Sequence, residues 1–76
     1  MYNISTQNNT VVITNGERTW AFPKGTIWLH TNAGDDQSID VKLAASRATI
    51  ITFRYDDCNL AGSDSYQTLN NIINLL

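Results

Sequence analysis

Residues 10–22 read TVVITNGERTWAF, two runs of β-branched and aromatic side chains on either side of Asn15-Gly16. A two-residue type I′ turn needs positive φ at both central positions. Asparagine tolerates that conformation and glycine enters it without a Cβ clash, so Asn-Gly between such runs predicts a β-hairpin. A turn at Asn15-Gly16 sets Thr14 opposite Glu17, Ile13 opposite Arg18, Val12 opposite Thr19 and Val11 opposite Trp20. Side chains alternate along a strand, which puts Val11, Ile13, Trp20 and Phe22 on one apolar face. Thr10, Val12, Thr14, Glu17, Thr19 and Ala21 make the other, small and hydroxyl-rich.

The same alternation continues outward. Tyr2–Thr6 reads as a short first strand that turns through Gln7-Asn8-Asn9. Pro23-Lys24-Gly25 is a tight turn. Thr26–Thr31 follows as a strand, with Ile27 and Leu29 on one face and Trp28 and His30 on the other. Asn32–Gln37 is a polar loop carrying Gly34, Asp35 and Asp36. Ser38–Leu43 places Ile39, Val41 and Leu43 inward and Asp40 and Lys42 outward. Ala44–Arg47 turns the chain into Ala48–Tyr55, where Ile51, Phe53 and Tyr55 oppose Ile50, Thr52 and Arg54.

Beyond Asp56–Gly62 the period changes. Ser63-Asp64 offers a helix cap with Gln67 three residues on, a capping-box pattern. Tyr66, Leu69, Ile72, Ile73 and Leu76 recur at helical spacing and predict an amphipathic helix over about 64–76. A helix of that length is marginal alone, so its stripe must form core or an interface with another copy. The expected class is α+β: one domain, 1–76, an antiparallel β-sheet or small open barrel of five to six strands with one C-terminal α-helix.

With 76 residues the chain buries roughly 60–65% of its unfolded surface, a thin margin. Small domains supplement such cores with disulfides, a metal or a partner. Cys58 and His30 are the only cysteine and histidine, which excludes an internal disulfide and a structural zinc site of the usual kind. Association into a homo-oligomer is the aid that remains.

Function classes narrow in the same way. The net charge is −2, and the five basic residues are scattered, so the basic stripe of a nucleic-acid binder is missing. No apolar run approaches the ~20 residues that span a bilayer, and the Met1–Ser5 start lacks the pattern of a secretory signal peptide. Asn3-Ile4-Ser5 and Asn8-Asn9-Thr10 match the glycosylation pattern by chance on that reading. The four glycines are dispersed as turn residues, with no phosphate-cradling loop. His30 has Asp35 and Asp36 near in sequence but no nucleophile set beside them by a recognisable motif, and a partly wet strand-end histidine is the plainer reading. Cys58 lies among aspartates that disfavour a thiolate. Asp35-Asp36 with Asp40, and Asp56-Asp57, read as solvated loop acids, short of the oxygen count that Ca²⁺ needs. No catalytic residue, metal or cofactor is expected. Trp28 stands between two readings, a second core tryptophan or an exposed aromatic anchor for a partner.

Three functions compete. A self-associating structural protein fits the small β-rich build and the apolar terminal helix. The short N-terminal strands with the Asn-Gly hairpin, the closing "ITFRYDDCN" and the final "SDSYQTLNNIINLL" together resemble small virion accessory proteins of tailed bacteriophages, the head-decoration or fibre-base components. That resemblance implies a capsid- or tail-associated oligomer in contact with other virion proteins, assembled in the host cytoplasm, and transfers no functional residue. The second function is a small-barrel module holding a glycan, or less readily single-stranded nucleic acid, through Trp20, Trp28 and Tyr55. The third is a small acidic inhibitor of a host protein.

Overall fold

The computed structural model describes residues 1–32 and 37–76. Six strands and a helix follow one another along the chain: β1 (Asn3–Gln7), β2 (Thr10–Thr14), β3 (Thr19–Pro23), β4 (Ile27–Asn32), β5 (Ser38–Leu43), β6 (Thr49–Arg54) and α1 (Ser65–Ile73). The strands form two open antiparallel sheets, β1-β2-β3 and β4-β5-β6, and neither closes into a barrel. The class is α+β as expected, and the strands, six where five to six were expected, divide between two three-stranded meanders. The polar loop read over 32–37, with Gly34, Asp35 and Asp36, falls largely on residues 33–36, which lie outside the described residues.

The turn chemistry differs from the sequence reading in one instructive way. The two-residue turn with positive φ at both positions sits at Asn8 (φ 50) and Asn9 (φ 63), joining β1 to β2 with Gln7 opposite Thr10. At Asn15-Gly16 the loop is four residues long, and Thr14 pairs with Thr19 instead of Glu17. The Asn15 carboxamide is the cause. Its Oδ1 accepts from the amides of Glu17 (2.9 Å) and Arg18 (2.8 Å), so the side chain closes a longer loop. Thr14 Oγ1 adds to it, accepting from the Gly16 amide and donating to the Arg18 carbonyl. Only Gly16 there takes positive φ (94). The register therefore moves by two residues, which preserves the faces. Val11 lies opposite Phe22, Ile13 lies opposite Trp20, and the Arg18 guanidinium sits 5.0 Å from the Trp20 ring centroid.

One core serves both sheets. Ile4, Val11 and Ile13 come from the first, and Ile27, Ile39, Val41, Ile51 and Phe53 from the second. Cys58 and Ile72 complete it. Trp20 and Phe22 pack against this core half-buried. Tyr2 is also tied to β6 and the segment that follows it. Tyr2 bridges Cys58 in parallel, through Tyr2 N–H to the Asp57 carbonyl and Asn59 N–H to the Tyr2 carbonyl. The Tyr2 ring stacks on Phe53 with centroids 5.1 Å apart.

Asp64 caps α1, its carboxylate accepting from the Gln67 amide at 2.7 Å. The Gln67 side chain reaches back to the Ser63 amide at 2.9 Å, one residue earlier than a standard capping box. The helix stops at Ile73, short of the expected 76, because the last amides tighten onto carbonyls three residues back, Leu75 on Ile72 and Leu76 on Ile73.

Candidate functional site

Two outward-facing surfaces carry chemistry. The first is the outer face of the second sheet. The β4–β5 register sets Trp28 opposite Lys42, His30 opposite Asp40 and Asn32 opposite Ser38, and β6 adds Thr52 opposite Asp40. Period-2 alternation then gathers Trp28, His30, Asn32, Asp40 and Thr52 on one side. Trp28 is 38% exposed and makes an edge-on contact with His30 at 6.2 Å between centroids. The sequence left Trp28 between core and surface, and the structure places it on the surface side.

Asp40 is the fixed point of this face. Its Oδ1 accepts from the Thr52 hydroxyl at 2.7 Å. Its Oδ2 accepts from Asn32 Nδ2 at 3.2 Å and lies 3.5 Å from His30 Nδ1. The Thr52 hydroxyl above all, then Asn32, His30 and the nearby Lys42 charge, holds the carboxyl below its ordinary value against an opposing effect of partial burial. The result is an oriented, ionised carboxylate on the same face as an exposed indole, with His30 in contact with both. Sequence pattern alone pointed Asp40 outward. Its partners Asn32 and Thr52 were missed because nothing in a single chain states which strands pair or in what register.

The second surface belongs to α1. Of the five residues in the expected stripe, Ile72 is buried, Leu69 and Leu76 are partly buried, and Tyr66 and Ile73 are 74% and 51% exposed. Thr68, which the stripe omitted, is buried instead. Hydrogen bonds explain the rotation. Thr68 Oγ1 accepts from the Gly62 amide at 2.6 Å and donates to the Asp64 carbonyl at 3.0 Å, while Asn71 Nδ2 donates to the Leu60 carbonyl. The segment before the helix thus grips its Thr68–Asn71–Ile72 side. Tyr66, about 200° around the axis from Thr68, turns outward.

The remaining candidates resolve individually. Cys58 is buried, and burial chiefly, with the neighbouring Asp57 and Asp56 carboxylates, pushes its thiol up. Asp56 faces the Arg54 guanidinium, and Asp57 faces the N-terminal ammonium of Met1. Asp35 and Asp36, the carboxylates near His30 in sequence, and with them the Asp35-Asp36 part of the cation reading, lie outside the described residues. Trp20, Trp28 and Tyr55 do not form one platform. Trp20 and Tyr55 pack against the core, whereas Trp28 faces away from it. An open cleft of about 170 Å³ between the end of β6 and the start of α1 is lined by Arg54, Asp56 and Asp64 among hydroxyl groups. Its lining among the described residues holds one cation, Arg54, and two carboxylates, Asp56 and Asp64, with neither a histidine nor a cysteine.

Compared with the known protein families, the curated proteins and the solved structures, the chain matches none of them.

Proposed function

We propose that this chain is a non-enzymatic interaction protein that assembles with further copies of itself through the outer side of α1. The observation that carries the reading is the pair Tyr66 and Ile73, seven residues apart and therefore on the same side of a helix after two turns. Both stand in solvent, at 74% and 51% exposure. Leu69 lies between them, partly buried. The occupant of this seam is a second copy, on two grounds. The helix SYQTLNNII carries no charged residue, so no like charge opposes packing of one α1 on another. A domain this small, with its single cysteine reduced, also gains most from burying apolar surface against a neighbour. The resemblance alone adds the larger setting to this proposal, a capsid- or tail-associated part of a phage virion.

Light scattering and sedimentation across a dilution series test it. The expected result is a concentration-dependent oligomer that Tyr66→Asp or Ile73→Asp converts to a folded monomer, which melts cooperatively near the temperature of the parent diluted until it too is monomeric. A monomer at every concentration rejects self-association.

A second reading rests on Trp28 and Asp40, which share one face with His30 in contact with both. An exposed indole on the same face as a carboxylate oriented by Thr52 and Asn32 suits a neutral sugar ring, which stacks its C–H face on the aromatic and donates hydroxyls to the carboxylate. Titration with neutral oligosaccharides, followed at the Trp28 indole N–H by NMR, tests it. No shift at millimolar sugar rejects it.

A further inference from the structure

The Asn15-Gly16 motif serves the hairpin but is not used up by it. We propose that Asn15 is a self-modifying position, at which the native loop promotes attack of the Gly16 backbone nitrogen on the Asn15 carboxamide and converts the asparagine to aspartate and isoaspartate.

The reaction needs three things, and the loop supplies each. The nucleophile is the backbone amide of the following residue, and Asn15 is the only asparagine in the chain followed by glycine, whose missing Cβ leaves that nitrogen unshielded. Gly16 is exposed, and beyond its chain neighbours no heavy atom lies within 4 Å of where a Cβ would stand, so solvent reaches the residue. The second need is stabilisation of the oxyanion that develops on Oδ1 as the carbon becomes tetrahedral. Two backbone amides, Glu17 at 2.9 Å and Arg18 at 2.8 Å, already point at that oxygen. This is the donor arrangement of an oxyanion hole, and such donors gain strength as negative charge grows. The third need is a departing amine that the fold does not retain. Both bonds from the loop go to Oδ1, leaving Nδ2 outside them. Asn59 makes the contrast, since its Nδ2 is held by the Ile4 carbonyl and its Oδ1 by the Ile4 amide.

The atoms balance with water as the only co-reactant. Hydroxide removes the Gly16 amide proton, for which Thr14 Oγ1 is the acceptor at 3.3 Å in the resting loop. The nitrogen bonds to Asn15 Cγ. The tetrahedral intermediate collapses with cleavage of the Cγ–Nδ2 bond, and Nδ2 leaves as ammonia after taking a proton from water. Water then opens the succinimide at either carbonyl, giving aspartate from one and isoaspartate from the other. Aspartate retains an acceptor for the Glu17 and Arg18 amides and adds a negative charge at the exposed hairpin tip. Isoaspartate inserts a methylene into the backbone and breaks the loop that sets the β2–β3 register.

The test follows the intact protein in mildly alkaline buffer at body temperature, with the site and product identified by peptide mass spectrometry and an isoaspartate-specific methyltransferase. The chain unfolded in concentrated urea serves as reference. Asn15 should convert at least about tenfold faster in the folded protein, a modest share of the roughly 10²–10³ that a single oxyanion-hole donor contributes in an enzyme, and ahead of every other asparagine. Conversion at an equal or lower rate in the folded protein overturns the proposal, because the loop would then protect the residue.

Discussion

The side-chain amide of Asn59 makes both hydrogen bonds of a strand pair with the backbone of Ile4, accepting from its N–H at 2.7 Å and donating to its carbonyl at 3.1 Å. One side chain therefore stands where a neighbouring strand would be. Exposed strand edges invite pairing with other chains, and here Asn59, beside the Tyr2–Cys58 bridge, closes the outer edge of β1 near its start. The same contact ties the first strand to the loop that leads into α1.

Replacing Asn59 by alanine removes both bonds and leaves the two backbone groups of Ile4 to water. The expected cost is about 1–2 kcal/mol, since the site is only partly buried. Asn59→Asp should fail to restore it, because a carboxylate accepts from the N–H but repels the carbonyl. Urea denaturation of the three proteins checks this. Equal midpoints would mean that water replaces Asn59 without loss.

Ile72 and Ile73 are neighbours with opposite roles. Ile72 is 1% exposed in the core, so Ile72→Ala should destabilise the fold by about 2–4 kcal/mol. Ile73→Ala removes an exposed side chain and should change monomer stability by under about 0.5 kcal/mol. Thermal melts at a concentration where the protein is monomeric separate the two. Similar losses would show that α1 docks through a different face.

The Asp40 carboxyl lies below its ordinary value of 3.8 chiefly through the Thr52 hydroxyl. A folded-state value lower than the unfolded one contributes stability that is complete above the unfolded value and lost as pH falls through the folded value. Thr52→Val should therefore cost about 1–2 kcal/mol at neutral pH. The difference from the parent should shrink as pH drops below about 4. Denaturation midpoints of both proteins across the acid range test the sign, and a gap that stays constant into strong acid would remove Asp40 from the explanation.

At Gly62 a Cβ would come within 2.8 Å of Gln67 Cγ and 2.9 Å of Gln67 Cβ. Gly62→Ala must push Gln67 away and break its bond to the Ser63 amide. A loss of about 1–2 kcal/mol and fraying of the first turn of α1 are expected. Amide exchange at Gln67 and Thr68 reads the fraying directly. Unaltered protection there would show that the Gln67 side chain does not help to cap the helix.

How far the sequence could be read depends on the range of the interaction concerned. Alternation placed Ile39 and Val41 inward and set Ile51 and Phe53 on one shared face, which the structure buries, and the strand Ser38–Leu43 has the bounds expected of it. Asp64 caps α1 as its position before Gln67 suggested. The hairpin register failed by two residues because Asn15 satisfies two amides through its side chain, a choice of acceptor that propensity does not encode. The candidate surfaces were half legible. Period assigned Asp40 an outward-facing position and left Trp28 between core and surface, but the Asn32–Asp40–Thr52 network needs three strands in register. Tyr66 and Ile73 were assigned to one apolar stripe with Ile72, and they separate only because Gly62 and Leu60 bond to the Thr68–Asn71 side.

The sequence by itself determined the local elements: the strands by alternation, the turns by asparagine, proline and glycine, and the helix start by its cap. These depend on side chains a few residues apart, whose geometry the chain's own bond lengths and angles impose. Only the tertiary structure decided that the strands divide into two sheets over one core, that Asn59 closes the edge of β1, and which side of α1 meets solvent. Those outcomes are set by contacts between residues as far apart as Ile4 and Asn59, where burial of apolar surface and pairing of backbone amides select one arrangement among several with equal local merit.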